Sequence, residues 1–146
     1  MTAKQISVFL ENKPGQLVEL AKTLNQNNID MRALSLADTK DFGIVRLIVD
    51  DPYKTACVLK EAGYISSITP VLAIEIPDEP GSLMQVLSLL GENGLNLEYT
   101  YAFTARKKDC AYMILRMADN DKAVEVLNKN GVRLICQSDL SALFED

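Results

Sequence analysis

Apolar and polar residues alternate in short runs along the chain, and each such run predicts a strand. Residues 5–10 place Ile6, Val8 and Leu10 on one face, and residues 43–49 repeat this pattern. Residues 15–27 instead carry leucines at helical spacing. With a strand at 31–37, a helix at 51–63 and a strand at 64–68, the first half reads strand, helix, strand, strand, helix, strand.

The second half of the chain repeats this order. Strands are predicted at 71–76, 95–103, 110–117 and 133–137, and helices at 81–92 and 121–130. The expected fold class is α+β, with two tandem ferredoxin-like βαββαβ modules whose antiparallel sheets carry their helices on one face. The predicted modules are residues 1–69 and 70–146.

The strongest shared feature of the two halves is a Pro-Gly turn between the first strand and the first helix of each. It reads Pro14-Gly15 in one half and Pro80-Gly81 in the other. Proline ends a strand, glycine accepts positive φ, and the following helix start offers amides without intrahelical partners. Such amides favour a carboxylate. The alternative, that both turns are plain connectors, stays open at this point.

The composition argues against several kinds of function. The chain has 146 residues, a net charge of −5 and no histidine. An acidic chain without basic clusters is a poor binder of nucleic acid or anionic membranes. Without histidine, the commonest general base and zinc ligand are missing, so we expect no catalytic residue, no metal and no cofactor. The paired acids at 50–51 fit a helix cap better than a metal site.

The apolar pattern and the cysteines indicate the cellular compartment in which we expect the protein. No run of the sequence has the apolar length of a membrane span, and the first residues show no leader pattern, so we expect a soluble cytoplasmic protein. Cys57, Cys110 and Cys136 are widely spaced. We expect them to be reduced, partly buried thiols.

The residues around each Pro-Gly turn resemble the ACT domain family. They read NKPGQL at 12–17 and DEPGSL at 78–83, and the steps NNIDM and NGLNL into the second strands also fit. ACT domains are small ferredoxin-like modules that bind amino acids and regulate metabolism. The resemblance therefore implies a tandem regulatory protein with a free amino acid as ligand, a homodimeric state and a metabolic enzyme as partner.

The resemblance also implies ligand-binding residues at a module interface. The amides at 15–17 or 81–83 would hold the ligand carboxylate, Asp78 would match its ammonium group, and second-strand residues would wall its side chain. The implied residues are Asn12, Gly15, Gln16, Leu17, Met31, Leu34 and Ser35, and Asp78, Gly81, Ser82, Leu83, Leu97, Tyr99 and Tyr101. Because Asn12-Lys13 is replaced by Asp78-Glu79, we expect the two sites to bind unequally.

Two other functions share this element order. An RNA-binding RRM is suggested by KDFGIVRL at 40–47, with Lys40, Phe42, Gly43 and Val45 at the required spacing, but Ile44 and Leu47 stand where bases need aromatic faces. An acylphosphatase-like enzyme would need an arginine on the phosphate-binding loop, and neither Pro-Gly loop has one.

The sheet face away from the helices is predicted to be mixed in character. It carries Ile44, Arg46 and Ile48 in one half and Tyr112, Ile114 and Arg116 in the other. So much apolar surface favours association, so we expect pairing between the repeats and between chains. The stripe Tyr99, Tyr101 and Phe103 fits interface packing better than ligand stacking.

Overall fold

A computed structural model describes residues 1–38 and 42–144 of the chain. Its elements are β1 (Ala3–Glu11), α1 (Gln16–Gln26), β2 (Met31–Asp38), β3 (Phe42–Val49), α2 (Pro52–Glu61), β4 (Ile65–Pro77), α3 (Ser82–Glu92), β5 (Leu97–Phe103), β6 (Cys110–Met117), α4 (Asn120–Lys129), β7 (Arg133–Ile135) and α5 (Gln137–Ala142). The predicted β-α-β-β-α-β order is confirmed in both halves. The predicted turn between β2 and β3, and Lys40 of the RRM-like run, lie outside the described residues.

The chain divides into two compact units, which we call the first module (Lys4–Thr69) and the second module (Met1–Ala3 with Pro70–Asp146). Strand β4 supplies its first residues to the first module and the rest, from Pro70, to the second. Two separate strands were predicted here. They are continuous because a residue before proline favours the extended conformation, so Thr69 does not end the strand.

The sheet of the first module has the order β2-β3-β1-β4. Strand β3 is antiparallel to both β1 and β2, with Leu10 opposite Gly43 and Leu36 opposite Val45. Strands β1 and β2 therefore run in the same direction and end on the same side of the sheet. The predicted helix-facing residues form the core, together with leucines of α1 and α2: Ile6, Val8, Leu10, Leu20, Leu24, Val45, Leu47, Val49 and Leu59.

In the second module, β4 and β5 both pair with β6, and β7 pairs with β4. The core again follows the predicted face: Leu72, Ile74, Ile76, Val86, Leu90, Met113, Leu115, Met117, Ala123 and Leu127. The predicted strand at 133–137 is too long, because β7 ends at Ile135 and α5 begins at Gln137. Leu140 is the buried residue of α5.

The outer face, which was expected not to be left entirely in water, is buried at several positions. Ile48, Tyr112 and Ile114 are buried. The Tyr112 hydroxyl donates a hydrogen bond to Glu75 Oε2 at 2.8 Å, and its ring lies 5.3 Å from that of Phe103. Phe103 in turn contacts Phe144 beyond α5, with ring centroids 6.1 Å apart. Packing is therefore the role of Phe103.

Candidate ligand-binding site

Both Pro-Gly turns adopt the same backbone conformation. Gly15 has φ of 83° and Gly81 has φ of 91°, and each is the N-cap residue of the helix that follows. These φ values lie in the left-handed region, which explains why both turns need glycine. A Cβ added at either glycine would meet no atom within 4 Å, so the restriction comes from the backbone and not from crowding.

The hydrogen bonds around the turns also match. In the first turn the Gln16 amide donates to the Lys13 carbonyl at 3.3 Å. In the second, the Ser82 amide donates to the Glu79 carbonyl at the same distance of 3.3 Å. Neither helix has a capping side chain. The duplicated sequence has therefore kept one local structure.

This structure leaves helix-start amides available in both modules. Among the described residues, none accepts a hydrogen bond from the amides of Leu17 and Val18, or from those of Leu83 and Met84. Such amides lie at the positive end of the helix dipole. Each turn can therefore bind a small anionic group such as a carboxylate.

A small cavity of about 90 Å³ lies beside the first turn. It brings together three predicted residues, Asn12, Gln16 and Leu17, with two that the sequence reasoning missed, Leu36 and Gly43; Leu10, Glu11 and Lys13 complete the lining. A volume of this size suits a few water molecules or one end of a ligand.

The strand directions explain why Leu36 and Gly43 were missed. Since β1 and β2 are parallel, the end of β2 lies near the turn, whereas the sequence reasoning chose residues from its start and middle. A Cβ at Gly43 would lie 3.2 Å from Leu36 Cδ1, so the glycine allows the leucine to lie across β3. The corresponding positions of the second module are Ala102 and Ala111, as their pairing with Met113 and Ile76 shows.

The structure does not bring the predicted wall residues to the turn of their own module. Met31 pairs with Val49 at the far end of β2. Leu34 faces the helix side opposite Leu47, whereas Ser35 faces outward opposite Arg46.

The second module shows the same division. Leu97 packs against the core, while Tyr99 and Tyr101 lie outward opposite Arg116 and Ile114.

Charge distinguishes the two turns. In the first, Lys13 Nζ lies 2.6 Å from Glu11 Oε2, and this hydrogen bond and ion pair raise the pKa of Lys13. In the second, Asp78 and Glu79 are exposed, and no described residue pairs with either carboxylate. A carboxylate ligand therefore meets a neutral Lys13–Glu11 pair at the first turn and two carboxylates without a described partner at the second.

Comparison with known proteins agrees with this geometry. A family model described as an ACT domain pair matches residues 1–144. The chain belongs to the ACT domain family. It is 42% identical to protein BT0572 from Bacteroides thetaiotaomicron, with a TM-score of 0.90 and 96% of each chain covered. A comparison with curated proteins finds no match.

Two further solved structures share the fold of this ACT domain pair. One is the ligand-free regulatory subunit of aspartate kinase from Thermus thermophilus, with 14% identity and a TM-score of 0.63, covering 88% of this chain and 92% of that one. The other is the same subunit from Thermus flavus, with 13% identity and a TM-score of 0.57, covering 86% and 90%. The tandem ferredoxin-like fold of this chain is thus also that of these two subunits.

Each ACT module also has a larger cavity on the β4 or β7 side of its first helix, of about 350 Å³ in both cases. The first is lined by Phe9, Leu10, Glu11, Gln16, Phe42, Gly63, Tyr64 and Ile65. The second is lined by Glu75, Ile76, Pro77, Ser82, Gln85, Val86, Leu89, Asn130, Gly131 and Val132. Gln16 lines cavities on both sides of α1, while Ser82 is only 5% exposed.

The described residues of the ACT modules were also searched for a metal site. Within residues 1–38 and 42–144, no cluster of acidic, histidine or cysteine side chains could hold a metal ion. Asp51 is the N-cap of α2 and accepts a hydrogen bond from the Lys54 amide at 3.0 Å, as a helix cap should.

All three cysteines are free, but Cys57 is exposed, contrary to the prediction. No helix in the described part of the chain is long and apolar enough to cross a membrane.

Proposed function

We propose that this ACT domain pair is an amino-acid-binding regulatory protein and that its Pro-Gly turns hold the ligand. One observation carries the proposal: two modules keep the same left-handed glycine and the same unused helix amides at the same place. Unpaired amides occur at the start of every helix, so the binding role is favoured over a plain connector by the duplication of the turn with its left-handed glycine, together with the family match. The family match favours this function over the RNA-binding alternative.

In the proposed complex, the ligand carboxylate accepts hydrogen bonds from the amides of Leu17 and Val18, or of Leu83 and Met84. Asn12 contacts polar groups of the ligand at the first turn. Asp78 pairs with its ammonium group at the second turn.

The small size of the first cavity supports a shared site. At about 90 Å³ it accepts only one end of an amino acid. We propose that a neighbouring module supplies the rest of the pocket through its second strand. The residues concerned are Met31, Leu34 and Ser35 in the first module, and Leu97, Tyr99 and Tyr101 in the second.

The proposed role is regulatory and not catalytic. Ligand binding at a shared pocket stabilises one arrangement of the modules, which is how an effector shifts the activity of a partner. We propose a homodimer in the cytoplasm that acts on a metabolic enzyme.

Thermal unfolding with each of the twenty amino acids tests the proposal, together with matched amines and carboxylic acids that lack the second charged group. We expect one amino acid, or a related group of them, to raise the unfolding temperature at millimolar concentration. The single-function analogues should not. If no amino acid raises it, the proposal fails.

Glycine variants locate the site. Gly15→Val and Gly81→Val place a branched side chain at the turns, and Gly94→Val is the matched control because Gly94 also has positive φ, 67°, with open space around it. All three variants lose stability. Only the turn variants should lose ligand affinity, and by different factors.

A further inference from the structure

The outer face of the first module carries a shallow apolar depression of about 540 Å³. All four residues that line it are apolar, and we call them the apolar patch: Phe9, Phe42, Ile44 and Ile65. Phe9 is 49% exposed, Phe42 57% and Ile65 72%. Large side chains are thus in water on a sheet face that lies opposite the helices.

In the second module the equivalent positions carry side chains that bond to one another. Alignment of the repeats places Glu75 at the position of Phe9, Tyr112 at that of Ile44 and Arg133 at that of Ile65. The strand register agrees for the first two, since Phe9 lies opposite Ile44 and Glu75 lies opposite Tyr112. Glu75 accepts a hydrogen bond from Tyr112 at 2.8 Å and pairs with Arg133 at 3.3 Å. The second module satisfies this face internally, whereas the first exposes apolar side chains there.

We propose that a second copy of this chain packs on the apolar patch about a two-fold axis. In a two-fold interface the same surface meets itself, so an uncharged patch buries no opposed like charges. This matters for a chain with a net charge of −5. The proposal assigns a surface to the homodimer proposed above, but it does not depend on ligand binding.

The area of the patch fits a small stable dimer. If each of the four large apolar side chains is given a surface of about 150–250 Å², the range for aromatic residues, and is about half exposed on average, the patch presents roughly 300–500 Å² per chain. Two copies then bury roughly 600–1,000 Å² of apolar surface. The smallest standard interfaces bury about 1,200 Å² in total, of which about 56–65% is apolar, so the patch supplies the apolar area that such an interface needs.

Charges at the two ends of the patch favour the two-fold arrangement. Arg46 lies on the same face, opposite Ser7, beyond one end of the patch, and Glu11 lies opposite Phe42 at the other end. The two ends are about 13 Å apart at the strand rise of about 3.3 Å per residue. When two copies pack with antiparallel strands, Glu11 of one copy, which also pairs with Lys13 of its own chain at 2.6 Å, comes to Arg46 of the other, and two such contacts flank the patch.

Sedimentation equilibrium of the full chain tests the surface. We expect the wild-type chain to be dimeric, and Ile65→Glu to weaken the dimer on the order of 100-fold because it buries an unpaired charge. Tyr53→Glu is the matched control, since Tyr53 is 63% exposed on α2 and its variant has the same net charge. A monomeric wild type, or equal dissociation constants for the two variants, overturns the proposal.

Charge reversal tests the two-fold geometry separately. Glu11→Arg and Arg46→Glu should each weaken the dimer about 10-fold or less, as expected for exposed ion pairs, and the double variant should recover most of that loss. If the double variant loses as much dimer affinity as the two single variants together, the two-fold pairing is overturned. Calorimetry with the ligand on Ile65→Glu and Arg46→Glu, neither of which lines the small cavity beside the first turn, keeps the two proposals apart. If the dimer is lost and ligand binding is retained, only the shared pocket is refuted.

Discussion

Tyr112→Phe removes a single hydroxyl from the network that fills the outer face of the second module. Tyr112 is 1% exposed and donates a hydrogen bond to Glu75 Oε2 at 2.8 Å. The phenylalanine ring keeps the contact with Phe103, whose ring centroid is 5.3 Å away. The variant therefore isolates the hydrogen bond from the packing.

The surrounding charges set the size of the effect. A hydrogen bond to a charged group contributes about 1.5–3 kcal/mol. Glu75 keeps Lys107 at 2.9 Å and Arg133 at 3.3 Å, so its carboxylate is not left unpaired. Burial by itself would raise the pKa of Glu75, but its bonds to Lys107 and Tyr112 and the Arg133 charge lower it overall. We expect a loss of about 1.5 kcal/mol in the free energy of unfolding, or roughly 1 M in the urea midpoint.

The same bond predicts a pH dependence. Burial first, and then the hydrogen bond to Glu75, raise the pKa of Tyr112 to about 12 from 10.0. The unfolded chain loses this proton near pH 10 while the folded chain keeps it. The stabilisation is therefore complete below pH 10 and is lost as the pH rises to about 12, by about 3 kcal/mol.

Urea unfolding at several pH values compares the wild type, Tyr112→Phe and the control Tyr53→Phe, whose side chain is exposed. The wild type and the control should lose more stability across this alkaline range than Tyr112→Phe does. Parallel losses in all three proteins would refute the role given to the Tyr112 hydroxyl.

Two further predictions concern the helix starts. Asp51→Ala and Asp119→Ala each remove an N-cap whose side chain accepts an amide hydrogen bond, at 3.0 and 3.1 Å, and should each cost about 1 kcal/mol in urea unfolding; unchanged midpoints would contradict the capping role. Gly81→Ala should cost about 1–2 kcal/mol because φ is 91°, whereas Gly91→Ala, inside α3 with open space around it, should stabilise by about 0.5–1 kcal/mol; equal effects would contradict the backbone explanation.

The periodic parts of the sequence were enough to predict the fold. Alternation around Val45 and Leu47, and helical spacing around Leu20 and Leu24, identified the core faces because burial requires that pattern. Helix α5 was not predicted because it is short and has one buried residue, Leu140, so its sequence shows no helical repeat of apolar positions.

The site was predictable only in its local part. Gly15 and Gly81 are identified by the turn itself, because the need for positive φ is a property of the local sequence. Leu36 and Gly43 approach the first turn through strand pairing, which depends on register and not on a motif. The exposed patch around Phe9 appears only when both repeats are compared in the folded structure.

Amide chemical shifts test the central claim most directly, because they report on the proposed ligand donors themselves. The protein, labelled with ¹⁵N, is titrated with the amino acid that stabilises it most. The account predicts that the largest shifts occur at Leu17 and Val18 or at Leu83 and Met84, with one turn responding at lower concentration than the other. A saturable response that leaves all four amides unchanged contradicts the account.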